Sequence, residues 1–183
     1  REDKLPKKLL SWKGDYVFSY LSPWIIPQSI LDSASCASIN WHPGPPEYPG
    51  IGCTNFAVYN EETVFGITCH HMLKKVDTGS IVEVSRFPIL DGDSVYSITQ
   101  KCYSHILHSF YSIVERIKLG MPLPISEEKW TKKPYTRKEL DALSEIKPDM
   151  TVKEVNKRIR ATTYDRPWAF IKIHGKNYYL ADG

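Results

Sequence analysis

The sequence predicts an α/β fold, a mostly parallel sheet with helices packed on it, followed by a small carboxyl-terminal α+β subdomain. Short β-branched and aromatic runs alternate with longer segments of helical period. No internal repeat interrupts the alternation. The first run, DYVFSYL (Asp15–Leu21), carries too little polarity for a strand with one wet face and has the composition of a strand buried on both sides of a parallel sheet.

Composition sets the outer limits. With 183 residues, 42% of them hydrophobic and 25% charged, the chain suits one good core and a small appended piece. No apolar run reaches the length of a membrane span, and the charged start REDKLPKK is followed by no apolar signal region, so a cytoplasmic protein without a membrane partner is expected. Cys36, Cys53, Cys69 and Cys102 are widely spaced with no C-x-x-C pair, which signals neither a zinc site nor a disulfide framework and leaves them as reduced, mostly buried thiols. A net charge of +3 is too slight to argue for nucleic acid and suits a phosphate-bearing small molecule.

The elements come in a regular order. After DYVFSYL, Pro27 in SPWIIPQSILDSA opens a short helix, and CASINW (Cys36–Trp41) is the next buried strand. The loop after it is stiff: SINWHPGPPEYPGIG (Ser38–Gly52) holds four prolines and three glycines in fifteen residues. It starts at a strand's carboxyl end, the edge where open α/β sheets bind ligands. CTNFAVYNEE reads as a helix, VFGITCHHML as a strand, KKVDTG as a turn and SIVEVSRFPI as a more exposed strand. Ile98, Cys102, Ile106, Phe110, Ile113 and Ile117 recur at helical spacing between Ser94 and the stop at Gly120. MPLPISEEKWTKKPYTRKEL, rich in proline and charge, reads as a connector leaving the sheet. TVKEVNKRIRAT is an amphipathic helix opened by Thr151, and WAFIKIHGKNYYL is two strands joined at His174 to Asn177. The division is therefore 1–120 main α/β domain, 121–150 connector and 151–183 small subdomain.

Polar groups suited to chemistry gather at two turns: Asn40 and His42, then His70, His71 and Asp77. An Asn amide can donate to an oxygen gaining negative charge, a His can move a proton near neutral pH, and an Asp can orient that His and support its protonated form. Together they serve acyl transfer to an amine. No G-x-S-x-G elbow and no locally activated cysteine is present, so the nucleophile belongs to the substrate.

INWHPGPPEYPGIGCTNFAVYN, followed by FGITCHHMLKKVDTGSIV, resembles the 10-formyltetrahydrofolate-dependent formyltransferase family, which includes methionyl-tRNA formyltransferase, glycinamide ribonucleotide transformylase and the nucleotide-sugar N-formyltransferases. The shared pattern is an Asn-x-His-Pro loop, a G-x-T strand and an Asp-x-Gly turn, with 37 residues from Asn40 to Asp77. The resemblance implies a Rossmann-like formyltransferase domain, a catalytic set of Asn40, His42 and Asp77, and a pterin held near Trp24, Ile25 and Ile26, with Val76 on the facing turn. It implies His70, Pro43 and Gly44 at the acceptor side, 10-formyltetrahydrofolate as co-substrate and no metal. It runs from about Asp15 onward but begins mid-domain. About two βαβ-type units are expected ahead of DYVFSYL, so the natural amino-terminal part is expected to be missing, leaving a sheet edge and part of the cleft unformed.

The tail argues against the purine-synthesis enzyme, and the wording HPGPPEYPGIGCTNFA is closer to the sugar enzymes than to the tRNA enzyme. The implied acceptor is therefore the primary amine of a nucleotide-diphosphate amino sugar, as in lipopolysaccharide O-antigen biosynthesis, with a homodimer allowed for. The runners-up are a methionyl-tRNA formyltransferase-like enzyme, a metal-dependent hydrolase or oxygenase using His42, His70 and Asp77, and an inactive binding protein. Trp24 serves equally as core, and the Lys132–Lys138 cluster as a solvated face. Tyr135, Trp168 and Tyr178 either stack a base or pack.

Overall fold

The structure, a computed structural model, describes residues 5–180. A short 3₁₀ turn, Lys7–Ser11, leads into β1 (Gly14–Tyr20), α1 (Gln28–Leu31), β2 (Ala34–His42), α2 (Cys53–Tyr59), β3 (Val64–His71), β4 (Ile81–Pro88) and α3 (Val95–Lys118). The tail adds α4 (Arg137–Ser144), β5 (Glu145–Ile146), α5 (Val152–Thr162), β6 (Phe170–Ile173) and β7 (Lys176–Tyr179).

The α/β class holds, and the main sheet has the order β1-β2-β3-β4. Its pairing corrects one detail: only β1 and β2 run parallel, while β2–β3 and β3–β4 are antiparallel, so the sheet is mixed rather than mostly parallel. For β3 and β4 the cause lies in the connection. Nine residues join β3 to β4, too few for a crossover, so the chain turns back on itself.

β1 lies at the edge of the described sheet, and of its residues only Ser19 is buried. Its aromatic content packs on one face: Phe18 meets Trp41 and Phe110 edge-on at 5.5 and 6.0 Å. The double burial expected for DYVFSYL is therefore not found among the described residues.

α3 keeps its sequence period. Ile98, Cys102, Ile106 and Ile113 are fully buried against the sheet, a Ser94–Ser97 capping box opens the helix, and Gly120 at φ +66° ends it. Trp41 on β2 anchors this layer through Nε1–H donated to Ser109 Oγ at 2.8 Å.

The connector does not leave the sheet. Backbone bonds from Ser126 to Ile81, from Thr131 to Pro46 and from Tyr135 to Pro49, at 3.1, 3.2 and 2.9 Å, lay residues 126–135 as a strap across the proline loop and the start of β4. The strap runs straight into α4, whose Thr136–Glu139 capping box carries a T-x-x-E signature that is legible in the sequence and marks a helix where only a connector is expected. In the tail, β5, β6 and β7 form a three-stranded sheet. α5 packs on α2, with Asn55 donating to the Ala161 carbonyl at 2.8 Å and Ala161 itself in the main core. No described helix is long and apolar enough to cross a membrane.

Candidate active site

The site is built on the register of two antiparallel strands. Asn40 on β2 lies opposite His70 on β3, and His42, the last residue of β2, lies opposite Thr68. Cross-strand partners of this kind hold their side chains within reach of one another. Asn40 Nδ2 lies 3.1 Å from His70 Nε2, and Thr68 ties down the next turn by donating from Oγ1 to the Gly44 carbonyl at 2.8 Å.

Asp77 reaches this pair from the turn after β3. One carboxylate oxygen lies 3.3 Å from His42 Nδ1, and the other lies 3.3 Å from His70 Nε2. The first oxygen also accepts the Gly50 N–H at 2.7 Å, linking the turn to the proline loop. Two features explain why this turn reads Asp-x-Gly. Asp77 sits at φ +48°, in the left-handed region that Asp tolerates better than most residues. At Gly79 a Cβ would lie 1.8 Å from the His71 carbonyl, so any side chain would push the turn off β3. Gly50, at φ +90°, allows the same close approach in the loop, where a Cβ would meet the Tyr135 backbone at 2.4 Å.

The proline loop fixes His42 from the other side. Its Nε2 lies 2.8 Å from the Tyr48 carbonyl, which only accepts, so that nitrogen carries the proton. In the neutral ring Nδ1 is then the lone-pair nitrogen, and it faces Asp77. His70 is held at both ring nitrogens: Nδ1 lies 2.9 Å from the His71 carbonyl, and Nε2 lies 3.1 Å from Asn40 Nδ2 and 3.3 Å from Asp77. Asn40 itself lines the open cleft.

His42, His70 and Asp77 are buried. Burial pushes the His42 pKa below its ordinary value, and the opposing pull of Asp77 and the Tyr48 carbonyl does not restore it. Burial acts to raise Asp77, but the two imidazoles and the Gly50 N–H together hold its carboxyl below the usual range. The set is thus a carboxylate beside an imidazole whose protonation burial opposes and the carboxylate favours. The metal reading of His42, His70 and Asp77 meets a different geometry. Each imidazole faces one Asp77 oxygen, and no group of three His, Cys, Asp or Glu side chains suited to a metal occurs among the described residues.

A cleft of about 730 Å³ opens over this centre. Asn40, His42, Asp77, His70 and Pro43 line it, as do Trp24, Ile25, Ile26 and Val76. Gly44 does not; it is buried behind His42, where a Cβ would meet Nε2 at 2.7 Å and the Tyr48 carbonyl at 2.8 Å. Its position argues packing rather than contact with a substrate. Three contributors are not legible as site residues in the sequence: the Tyr48 carbonyl, the Gly50 N–H and Trp130. The indole of Trp130 stands edge-on to His70 at 5.0 Å and to His42 at 5.9 Å, and its N–H is donated to the Gly79 carbonyl at 2.8 Å. Tyr135 stacks on Phe56 at 4.0 Å and so packs within the protein. The three buried cysteines are not activated: burial pushes the Cys53 thiol up to about 12 and raises Cys69 and Cys102 too, while Cys36 is exposed.

The α/β sheet thus carries a paired imidazole and carboxylate at a strand end, with an amide beside them, at the wall of the cleft. Residues 1–112 match the formyl transferase family profile, more than half of the chain, and the protein belongs to that family. It is 27% identical over 178 residues to a methionyl-tRNA formyltransferase of Lactobacillus gasseri, covering 94% of this chain and 55% of that protein. The chain thus spans about half the length of that relative. In fold it is similar to a sugar N-formyltransferase from a Shewanella species, at a TM-score of 0.75 and 20% identity, over 91% of this chain and 68% of the other. It is also similar to an N-formyltransferase from Helicobacter canadensis in complex with folinic acid and dTDP-3-aminofucose, at a TM-score of 0.71 and 20% identity, over 93% and 62% of the two chains.

Proposed function

We propose that this protein moves a formyl group from 10-formyltetrahydrofolate to the primary amine of a nucleotide-linked amino sugar, directly and without acylating the polypeptide. The observation that carries the reading is the buried His42, held between the Tyr48 carbonyl at Nε2 and Asp77 at Nδ1, beside Asn40 at the wall of the cleft. The exposed Trp24 and Ile25, with the half-buried Ile26, suit a flat pterin, and the cleft has room for one. The sugar acceptor is favoured by the slight net charge, by the loop wording and by the fold neighbour bound to a dTDP amino sugar.

In this mechanism the amine nitrogen bonds to the formyl carbon and the bond from that carbon to N10 of the folate breaks. Asn40 donates to the oxygen that gains charge. His42 takes the amine proton at Nδ1, where Asp77 neutralises the imidazolium, and returns it to the departing nitrogen. Tyr48 and His70 hold the ring and the amide in place. The test is to incubate the protein with 10-formyltetrahydrofolate and a panel of nucleotide-linked amino sugars, with methionyl-tRNA as a separate acceptor. Formyl mass gain on a sugar nucleotide supports the reading; gain on the tRNA alone replaces it with the other branch of the family.

A further inference from the structure

A second cleft, of about 680 Å³, lies between the Asp77 turn and the strap, and it shares Lys75, Asp77 and Pro134 with the first. Its wall carries Lys75, Lys129, Lys132 and Lys133. None of these four has a carboxylate partner among the described residues. The acidic groups nearby are already engaged. Asp77 faces two imidazoles and the Gly50 N–H, and Glu128 is bound by Arg86, which also holds Glu47 at 3.1 Å. Among the described residues that line the cleft, this leaves Glu127 alone to oppose the four cations.

The lysines also stand on a fixed frame. The strap that bears three of them is tied by the Ser126, Thr131 and Tyr135 backbone bonds and by the Trp130 indole. Lys132 is held further by the Tyr48 ring, 4.8 Å from its Nζ. Cations of one sign on the walls of a groove focus potential into it and draw in multivalent anions.

We propose that this second cleft is an anion subsite of the same centre, and that it takes the oligo-anionic chain of a ligand whose reactive end lies at Asn40, His42 and Asp77. The chain is either the diphosphate of a nucleotide or the γ-linked carboxylates of a folate tail. The identity of the ligand rests on the formyl-transfer reading; the subsite does not.

The probe is inorganic pyrophosphate, titrated into 15N-labelled protein at low ionic strength. The signal to track is the Trp130 indole N–H, identified by its loss in Trp130→Phe. Saturable movement of that signal is expected. Lys129→Glu with Lys133→Glu should weaken it at least about tenfold, and raising the salt should weaken it too. The paired neutral change Lys129→Gln with Lys133→Gln should give a smaller loss, with circular dichroism confirming that both variants fold. Thymidine diphosphate and tri-γ-glutamate, titrated separately, distinguish the two sources, and saturable binding of either supports the subsite. Movement that never saturates, or that survives charge reversal unchanged, overturns it and leaves the lysines as a solvated face. Because no formyl transfer is measured, pyrophosphate binding without any transferase activity would strike the proposed function and leave the subsite standing.

Discussion

The loop at Ser38–Gly52 and the strap at residues 126–135 press on the same two histidines, yet they are built in opposite ways. The loop is local: β2 ends at His42, four prolines stiffen the backbone beyond it, and the Tyr48 carbonyl returns to the ring six residues on. The strap is remote, and its contacts to Ile81, Pro46, Pro49 and Gly79 cross 45 to 86 residues of chain. The loop fixes the Nε2 end of His42, whereas the strap sets an indole edge-on against both rings. The centre is thus held by a nearby frame and a distant cover, and substitutions in the two regions should fail differently.

The largest effect should come from the side chains that the loop presents. His42→Ala should lower turnover by roughly 10²- to 10⁴-fold, the usual contribution of a positioned acid–base group, in a formyl-acceptor assay with the fold checked by circular dichroism. Asn40→Ala should cost about 100- to 1000-fold, the scale for one lost donor to a developing oxyanion. If Asn40→Ala stayed within a few-fold of wild type, its amide would serve only His70.

Charge comes next. Burial leaves His42 titrating below about 6.5, so kcat/KM should rise with pH through an apparent pKa below that value. Asp77 pulls this pKa upward, so Asp77→Asn should move the midpoint lower still while reducing the plateau. The same shifts predict acid sensitivity of the fold. A depressed imidazole loses stability as pH falls below its unfolded value near 6.5, and a depressed carboxyl loses its contribution only at pH values below about 3.9. Chemical denaturation at several pH values would read both windows.

The strap should show a smaller and different signature. Trp130→Ala admits water beside His42 and should move the kcat/KM midpoint up toward the ordinary imidazole value with only a several-fold loss of plateau rate. Trp130→Phe keeps a ring but loses the N–H to Gly79, so it should cost about 1 kcal/mol of stability and shift the midpoint little. A Trp130→Ala midpoint unchanged from wild type would break the division between frame and cover.

Legibility in the sequence divides along the same line. Asn40, His42 and Asp77 can be found because each stands in a short pattern with a local cause: a strand end, a proline loop, and a turn whose Gly79 leaves no room for a side chain. The α3 stripe is legible because its period of burial is carried by one element. The direction of β3 is not, since periodicity along a strand is the same whichever way its neighbour runs. Trp130 and the Tyr48 carbonyl are invisible for a further reason: one is a lone aromatic in a charged segment, and the other is a backbone atom that any residue would supply.

A single-turnover reaction read by intact mass tests direct transfer most plainly. With 10-formyltetrahydrofolate and a competent amino-sugar nucleotide, the acceptor should gain the formyl mass while the polypeptide keeps its own mass at every time point, and His42→Ala should slow that gain by at least about 100-fold. A formylated polypeptide that builds up before product, or a His42→Ala rate equal to wild type, would contradict it.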